Sequence, residues 1–249
     1  MSTYPLHALV LGKTKLSESD LIMTLLAEDG SQVRAVAKGI RKTRSRLRGV
    51  VEVFAEVSLL CATGRNLDII TEARLVDAHE GCRCSYERIC AAEVVCELAR
   101  KLTYADNPQE KLFDMIQAAL CALEDCEEES LRLLACAAML KMVSLVGYRP
   151  LLTSCTLCGT CLDAAVRRPA FSIDAGGMLC GDCAARVPHI NVPRELLRWA
   201  ETLVRSTFAE ICGYHLDEGI TTMLLELASD WIGHHAGVQL RSLQYLQGD

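Results

Sequence analysis

The chain has 249 residues, of which 51% are apolar and 23% are charged, so it can hold two domains with a sizeable core. No apolar run approaches the roughly 18 residues of a membrane span. The first residues do not show the charged and then apolar pattern of a signal peptide. Fourteen cysteines without a leader predict free thiols in a reducing compartment. We therefore expect a cytoplasmic protein that does not contact a membrane.

Charge is distributed unevenly along the chain. The net charge is −6, to which residues 1–76 contribute +3 and residues 77–249 contribute −9. A basic N-terminal part followed by an acidic remainder predicts that a polyanionic partner binds at the N-terminal end.

Five strand patterns precede the first helical pattern. Asp29-Gly30 is a strong hairpin signal between the second and third of them. Five strands in about 75 residues are typical of a small closed barrel of the OB type, which we predict over residues 1–76. The predicted strands are Leu6–Leu11, Leu21–Glu28, Gln32–Ala37, Val50–Cys61 and Leu67–Val76.

A strongly basic segment joins the third and fourth predicted strands. Six of its eleven residues are Lys or Arg, and no acidic residue interrupts them. It is either a solvated loop without a partner or a flexible arm that contacts nucleic-acid phosphates. Tyr4 and Phe54 are the only two aromatic residues before position 77, so binding should be mainly electrostatic with weak sequence preference. The predicted DNA-binding residues are Lys38, Arg41, Lys42, Arg44, Arg46 and Arg48.

From His79 onward the apolar residues recur with a helical period. A first stripe contains Ile89, and Asn107-Pro108 starts a second helix. Leu131–Val146 is apolar on nearly every side, which predicts a central buried helix that Gly147 ends. Two later helices are predicted over Val192–Phe208, and over Leu216–Trp231 with Asp217 as its cap. Cysteines at helix-face spacing are interpreted as core residues: Cys90, Cys96 and Cys136.

Two Cys-x-x-Cys pairs lie between the central helix and the later ones. Each tight turn aims two sulfurs at one point, and the pairs are separated by 21 residues. Phe171 and Ile173 followed by Gly176-Gly177 predict a short hairpin between the pairs. We therefore predict a zinc ribbon over residues 153–188 with one structural Zn²⁺. Its predicted ligands are Cys155, Cys158, Cys180 and Cys183.

Other interpretations of these cysteines are weaker. They include chance clustering, an iron–sulfur run through the extra Cys161, and a redox pair without its βαβ setting. A site with four thiolates is closed to substrate, so the metal should stabilise the fold instead of catalysing a reaction. Arg167 and Arg168 on the ribbon are second candidates for phosphate contact.

The sequence contains none of the enzyme motifs that we searched for. H-E-x-x-H, G-x-S-x-G and an intact P-loop are absent, and His234-His235 are interpreted as surface residues at a helix end. We therefore predict a protein that is not an enzyme. The alternatives from other classes are a metal-dependent nuclease and a zinc-ribbon transcription regulator.

The whole chain resembles the RecO family of bacterial DNA-repair mediators. Two departures from the family pattern are Glu52-Val53, where Gln-Pro is frequent, and the additional Cys161. The residues that carry the resemblance are Glu18-x-Asp20, Val36-Ala37-Lys38-Gly39, Ser45-Arg46-Leu47-Arg48-Gly49, Phe54, Gly147-Tyr148-Arg149-Pro150 and the cysteine quartet with Phe171 and Gly176-Gly177.

The resemblance implies an α+β protein, with an N-terminal OB-fold β-barrel followed by an α-helical domain, residues 77–249, that contains the inserted zinc ribbon. It implies a recombination mediator in bacterial DNA repair that binds single- and double-stranded DNA and anneals complementary strands. It also implies contacts with RecR and with single-strand-binding protein, help in loading RecA, and association with the nucleoid.

The resemblance implies that the chain binds single-strand-binding protein through the acidic, apolar-ended C-terminal tail of that partner. Such a tail calls for an apolar pocket beside a cation, because a terminal carboxylate is best held by a charge-assisted hydrogen bond. We expect the pocket among the helices around Leu131–Val146, with Arg132 or Lys141 as the cation. The alternative is that both are plain surface charges.

Overall fold

The computed structural model describes residues 2–162 and 166–247. Its architecture is α+β, as predicted: a closed five-stranded barrel comes first, and helices with one small sheet follow. Residues 163–165 of the predicted zinc ribbon lie outside the described residues. Within the described ranges, no helix combines the length and the apolar character needed to cross a membrane.

The barrel has the strand order β1-β2-β3-β5-β4, in which β4 also pairs with β1. All its neighbours are antiparallel except β3 and β5, which run parallel and pair only at Ala35–Asp68 and Val36–Ile69. This order agrees with the predicted OB-type barrel. The strands are β1 (Thr3–Lys15), β2 (Leu21–Ala27), β3 (Gln32–Ala37), β4 (Glu56–Ala62) and β5 (Asp68–Asp77).

The remainder of the described chain is mainly helical, with 3-10 turns at Glu80–Arg83 and Glu128–Ser130. A three-stranded sheet, ordered β7-β6-β8, forms the predicted ribbon hairpin and its neighbour. Its strands are β6 (Ala170–Ser172), β7 (Gly177–Leu179) and β8 (Ile190–Asn191). The helices are α1 (Tyr86–Leu102), α2 (Glu110–Asp125), α3 (Leu131–Leu145), α4 (Gly181–Ala184), α5 (Arg194–Arg205), α6 (Phe208–Cys212), α7 (Glu218–Ala236) and α8 (Leu243–Gln247).

β1 is buried on both of its faces, which explains its unbroken apolar run. Ala8 and Val10 point into the barrel core, whereas Leu9 and Leu11 belong to the core that includes the helices. All four side chains are fully buried. Burial of a leucine contributes roughly 1.5–3 kcal/mol, so Leu9 and Leu11 stabilise the barrel against the helical part.

α3 is the predicted central helix. It packs against α1, α2, α5 and α7, and eleven of its fifteen residues are buried. Gly147 follows with a φ of +97°, a left-handed conformation that a residue with a side chain rarely adopts. The sequence prediction for this helix and for its end is therefore confirmed.

The fourth predicted strand, Val50–Cys61, begins too early. The strand starts only at Glu56, because the backbone N–H groups of Val50 and Val51 both turn back to the carbonyl oxygen of Leu47. Phe54 then adopts a φ of +77°, which takes its side chain out of the barrel and into the core shared with the helices. The apolar run before Glu56 marks burial here, but it does not mark a strand.

Two helical predictions also need correction. The helix predicted to reach Phe208 ends at Arg205, because Thr207 caps a new helix: its hydroxyl accepts from the N–H of Glu210, and the Glu210 carboxylate accepts from the N–H of Thr207. Ile89, which we placed on the buried face of α1, is 41% exposed.

His235 is not the plain surface residue that we predicted. Its Nε2 lies 2.9 Å from the carbonyl oxygen of Ile173, and its ring centroid lies 4.1 Å from that of Trp231. His234 is exposed, as expected. His235 therefore connects α7 to the ribbon, a long-range contact that a helix-end pattern does not reveal.

Candidate metal centre and nucleic-acid interface

The four predicted cysteine ligands lie together. The sulfur atoms of Cys155, Cys158, Cys180 and Cys183 are all within 4.8 Å of one another, although the two pairs are far apart in sequence. Cys155 and Cys183 are buried, and Cys158 is exposed. The centre is thus anchored on its inner side and lies near the protein surface on its outer side.

Local backbone geometry aims these sulfurs. The N–H of Cys155 donates to the carbonyl of Thr160 at 2.9 Å, and Gly159 adopts a φ of +75°, which closes the first knuckle. Gly177 lets β7 approach the chain before the knuckle, since a Cβ at this position would lie 2.2 Å from the carbonyl oxygen of Leu151. Gly177 is therefore sterically required, and the positive φ of Gly159 favours glycine at the first knuckle.

The thiols share a strongly perturbed environment. Burial opposes ionisation of Cys155, but hydrogen bonds from the backbone N–H groups of Cys180, Cys158 and Leu157 outweigh it and lower its pKa to about 6. The hydrogen bond with the sulfur of Cys180 raises the pKa of Cys183 to about 12. Four adjacent thiolates repel one another, so full ionisation needs a cation among them.

This donor set fits zinc. The sulfurs of Cys158 and Cys180 are 3.6 Å apart, far beyond the roughly 2.05 Å of a disulfide. Two sulfurs about 2.3 Å from one tetrahedral Zn²⁺ are separated by roughly 3.8 Å. Cys161 is exposed and does not belong to the group of four. A bound Zn²⁺ would supply cross-linking, since four protein ligands leave no position for substrate.

The ribbon is joined to the helical core through aromatic residues. Phe171 of β6 is fully buried, with its ring centroid 5.9 Å from that of Trp231 in α7. The indole N–H of Trp231 donates to the carbonyl oxygen of Tyr148 at 2.7 Å. Loss of the metal centre would therefore disturb the packing of α7 as well as the ribbon.

The basic loop, residues 38–48, projects its charges into solvent. The loop is a series of turns that apolar side chains hold against the barrel core: Ile40, Leu47 and the following Val51 are all buried. The six predicted cations are exposed, and none has an ion-pair partner within 4.0 Å in the described part of the chain. The loop thus offers an unneutralised cationic surface.

Asp20 fixes the start of the basic loop. Its carboxylate accepts a hydrogen bond from the backbone N–H of Gly39 at 2.7 Å, which is the main reason that the pKa of Asp20 is lowered. Gly39 has a φ of +65°, so the chain turns sharply there. These contacts give a structural reason for two of the motif residues, Asp20 and Gly39, noted in the sequence.

Two further cations beside the loop were missed by sequence reasoning. Lys13 and Lys15 at the end of β1 line the same cleft as Arg41 and Arg48, which has a volume of about 540 Å³. Lys13 pairs with Glu52 at 2.9 Å, whereas Lys15 is exposed and has no ion pair among the residues described. The positive N-terminal balance was the only signal in the sequence, because Lys15 reaches the loop through the pairing of β1 with β2 and of β2 with β3, which a pattern within one segment does not show.

The aromatic residues of the barrel offer little surface for base stacking, because Tyr4 is half-buried and Phe54 is buried. The hydroxyl of Tyr4 donates to the carboxylate of Asp68, and Phe54 is 5% exposed beneath the guanidinium of Arg83. The interface can therefore recognise phosphate charge but has few means of recognising bases.

An apolar cleft of about 750 Å³ lies between α2, α3 and α6. Lys141 is in its wall, where its ammonium group donates to the carbonyl oxygens of Val204 and Ser206, and burial lowers its pKa. No carboxylate within the described ranges lies within 4.0 Å of this ammonium group. Arg132, the other predicted cation, pairs instead with Glu218 at 3.1 Å and does not line the cleft.

Comparison with known proteins identifies the family. Residues 1–79 match the family model described as Recombination protein O N terminal. Residues 83–244 match the one described as Recombination protein O C terminal. The chain belongs to the RecO family. The resemblance found in the sequence is thereby confirmed, and membership implies a role in DNA repair and recombination.

Individual RecO proteins are similar over nearly the full length. The DNA repair protein RecO of Bifidobacterium adolescentis is 32% identical over 249 residues, covering 99% of this chain and all of the relative. That of a Nocardioides species is 38% identical over 247 residues, covering 97% of this chain and 98% of the relative. That of Pelotomaculum thermopropionicum is 30% identical and covers 99% and 94%, respectively.

Proposed function

We propose that this RecO-family chain is a recombination mediator that binds single- and double-stranded DNA and anneals complementary strands. The observation that carries the proposal is the cationic surface at one end of the barrel, where the six basic-loop residues and Lys15 have no ion pair in the described chain. Two DNA strands repel each other through their phosphates. A surface that neutralises them lowers this barrier without recognising sequence.

The closed barrel supports a binding role. Its interior is filled by apolar side chains such as Val10 and Leu25, so DNA must bind outside it. The buried residues Ile40 and Leu47 hold the basic loop against the barrel, which reduces the entropy lost when phosphates are bound. The DNA-binding residues in this proposal are Lys38, Arg41, Lys42, Arg44, Arg46 and Arg48, with Lys15 added.

The proposal extends to strands that are coated by single-strand-binding protein. We infer that its acidic, apolar-ended C-terminal tail binds in the cleft between α2, α3 and α6. Apolar side chains such as Met115 and Phe208 would receive the end of the tail, and Lys141 would donate to its terminal carboxylate. Of the two cations proposed from the sequence, Lys141 is favoured because it lines this cleft.

Several further parts of the proposal follow from family membership. The protein would act without an enzymatic step, contact RecR, help to load RecA and associate with the nucleoid. Residues 1–76 would form the DNA-binding domain and residues 77–249 the domain for protein partners. One Zn²⁺ at the four cysteines would stabilise the second domain.

Annealing of bare and coated strands tests the proposal directly. The full chain should anneal both, and deletion of the tail from single-strand-binding protein should abolish annealing of coated strands only. Arg44→Glu combined with Arg46→Glu should abolish both, because two reversed charges repel phosphate. The same samples incubated with Mg²⁺ or Mn²⁺ should leave the strands uncut.

Three results would overturn parts of this proposal. Failure to anneal bare strands would remove the mediator role. Annealing of coated strands that survives tail deletion would remove the tail-binding cleft. Cleavage of the strands that requires the metal would favour the nuclease alternative.

A further inference from the structure

A second group of metal-binding side chains lies where the barrel joins the helices. Asp77 ends β5, His79 lies in the connection that follows, and Glu124 lies in the last turn of α2. Their ligand atoms are all within 4.8 Å of one another. The Nδ1 atom of His79 is 3.2 Å from Oε2 of Glu124 and 3.9 Å from Oδ1 of Asp77.

The imidazole can offer only one atom to a ligand. His79 is fully buried, and its Nε2 has no hydrogen-bond partner in the described structure. Nδ1 is the ring atom that faces the two carboxylates. The carboxylates themselves are more open, since the side chains of Asp77 and Glu124 are 53% and 26% exposed. An ion from solvent can therefore reach a position between a buried nitrogen and two accessible oxygens.

Both carboxylates are held in place by backbone amides. The N–H of Gly81 donates to Oε1 of Glu124 at 2.8 Å, and the N–H of His79 donates to Oδ1 of Asp77 at 2.9 Å. Supporting hydrogen bonds of this kind orient ligands before the ion binds. Oε2 of Glu124, which faces the ring, takes no part in its amide bond, whereas Oδ1 of Asp77 both accepts the amide bond and faces the ring.

The local charge favours a cation. In the described chain, Asp77 and Glu124 have no Lys or Arg partner within 4.0 Å, although two carboxylates this close repel each other. The neighbouring Arg83 donates to the carbonyl oxygens of Ala78 and His79 instead of to a carboxylate. Arg88 likewise donates to the backbone carbonyl oxygen of Glu124 and not to its carboxylate, so no Lys or Arg of the described chain is ion-paired with either acid.

We propose that Asp77, His79 and Glu124 bind a divalent transition-metal ion of the zinc type, and that this ion ties the barrel to α2. Ligands about 2.0–2.2 Å from one tetrahedral ion are separated by roughly 3.3–3.6 Å, which lies between the 3.2 Å from Nδ1 of His79 to Glu124 and the 3.9 Å to Asp77. One nitrogen and two oxygen donors suit zinc better than the all-oxygen ion Mg²⁺.

The site should be weaker than the thiolate site. With the ion on Nδ1, the ring proton moves to Nε2, where it has no acceptor among the residues described, and an unpaired buried donor is unfavourable. Binding should therefore be reversible, which distinguishes this ion from the one that stabilises the ribbon.

Calorimetric titration of the full chain, with its thiolate site already loaded with zinc, tests the proposal. Zn²⁺ should bind at one additional site, Mg²⁺ should bind more weakly, and Zn²⁺ should raise the melting temperature. Asp77→Asn and Glu124→Gln each keep an oxygen for the amide that donates to the native carboxylate, so both variants should fold. Each should lose about tenfold or more in Zn²⁺ affinity, and the stabilisation by Zn²⁺ should disappear.

Asp125→Asn is the matched control, because Asp125 is an exposed neighbour on α2 that is not in the group of three. This variant should bind Zn²⁺ like the parent protein. The proposal is wrong if the zinc-loaded protein binds no additional ion. It is also wrong if Asp77→Asn and Glu124→Gln both bind Zn²⁺ as tightly as the control.

Discussion

The carboxylate of Glu97 in α1 binds Ser242 near the end of the chain through two hydrogen bonds. The backbone N–H of Ser242 donates at 2.8 Å and its hydroxyl at 2.6 Å, and Lys101 adds an ion pair at 2.7 Å. Both Glu97 and Ser242 are buried. The connection holds the segment before α8 against α1, so this segment is integrated into the helical core.

This relationship predicts a specific loss of stability in acid. Burial alone would raise the pKa of Glu97, but the bonds from Lys101 and Ser242 and from the N–H of Arg241 outweigh it and lower the pKa to about 2. Because the pKa is depressed in the folded protein, ionised Glu97 stabilises the fold at pH values above its ordinary pKa of 4.5. This contribution is lost as the pH falls towards 2. It amounts to about 3 kcal/mol at pH 7 and to less than half of that at pH 3.

Unfolding by urea at pH 7 and pH 3 measures this contribution. Glu97→Gln should be destabilised relative to the parent at pH 7, and the difference should shrink at pH 3. Glu87→Gln, an exposed residue on the same helix, should show no such dependence. A Glu97→Gln difference that is the same at both pH values would contradict the expected protonation of Glu97.

Replacement of a cysteine ligand should release zinc. Cys155→Ser removes a buried sulfur from the group of four, so the ribbon should lose its cross-link and the packing of Phe171 on Trp231 should loosen. Cys161→Ser is the control and should retain the metal. Elemental analysis and near-ultraviolet circular dichroism of both variants measure the outcome. Equal zinc loss in the two would show that the ligand set is different.

The salt dependence of binding to single strands should count the phosphate contacts. About five contacts give a slope of log affinity against log salt near −3.5, at roughly −0.7 per contact. Arg44→Ala combined with Arg46→Ala should make the slope shallower by about 1.4 and weaken binding alike for different sequences.

Arg74→Ala combined with Arg205→Ala is the control for charge alone, since both residues are exposed outside the basic loop. Its slope should match that of the parent protein. If the loop variant also keeps the parent slope, DNA binds elsewhere, and Arg167 and Arg168 on the ribbon become the next residues to replace.

The cleft between α2, α3 and α6 should bind an acidic, apolar-ended peptide. Lys141→Ala removes the cation, and loss of a charge-assisted hydrogen bond should lower the affinity for the peptide by about 10- to 100-fold. Ala209→Trp should block the same cleft without altering Lys141. Fluorescence anisotropy with a labelled tail peptide measures both. Arg132→Ala should bind normally, and a loss confined to Arg132→Ala would identify Arg132 as the cation instead.

Local patterns were enough to predict much of this protein. The paired cysteines, the glycines beside them and the unbroken basic run are properties of adjacent residues, so Cys155, Cys183 and Arg44 could be proposed from the sequence. The helical period also located α3 and its end at Gly147. These features depend on backbone geometry over a few residues, which composition and spacing encode directly.

Only the tertiary structure determined which residues that are distant in sequence lie beside one another. Strand pairing and packing place Lys15 beside the basic loop, Lys141 in the cleft wall, and His79 next to Glu124, 45 residues later. The same packing delayed the start of the fourth predicted strand to Glu56, because the side chain of Phe54 is buried among the helices and not in the barrel. Contacts between distant residues depend on how the whole core is buried. A periodic pattern within one segment therefore does not show which other segments pack against it.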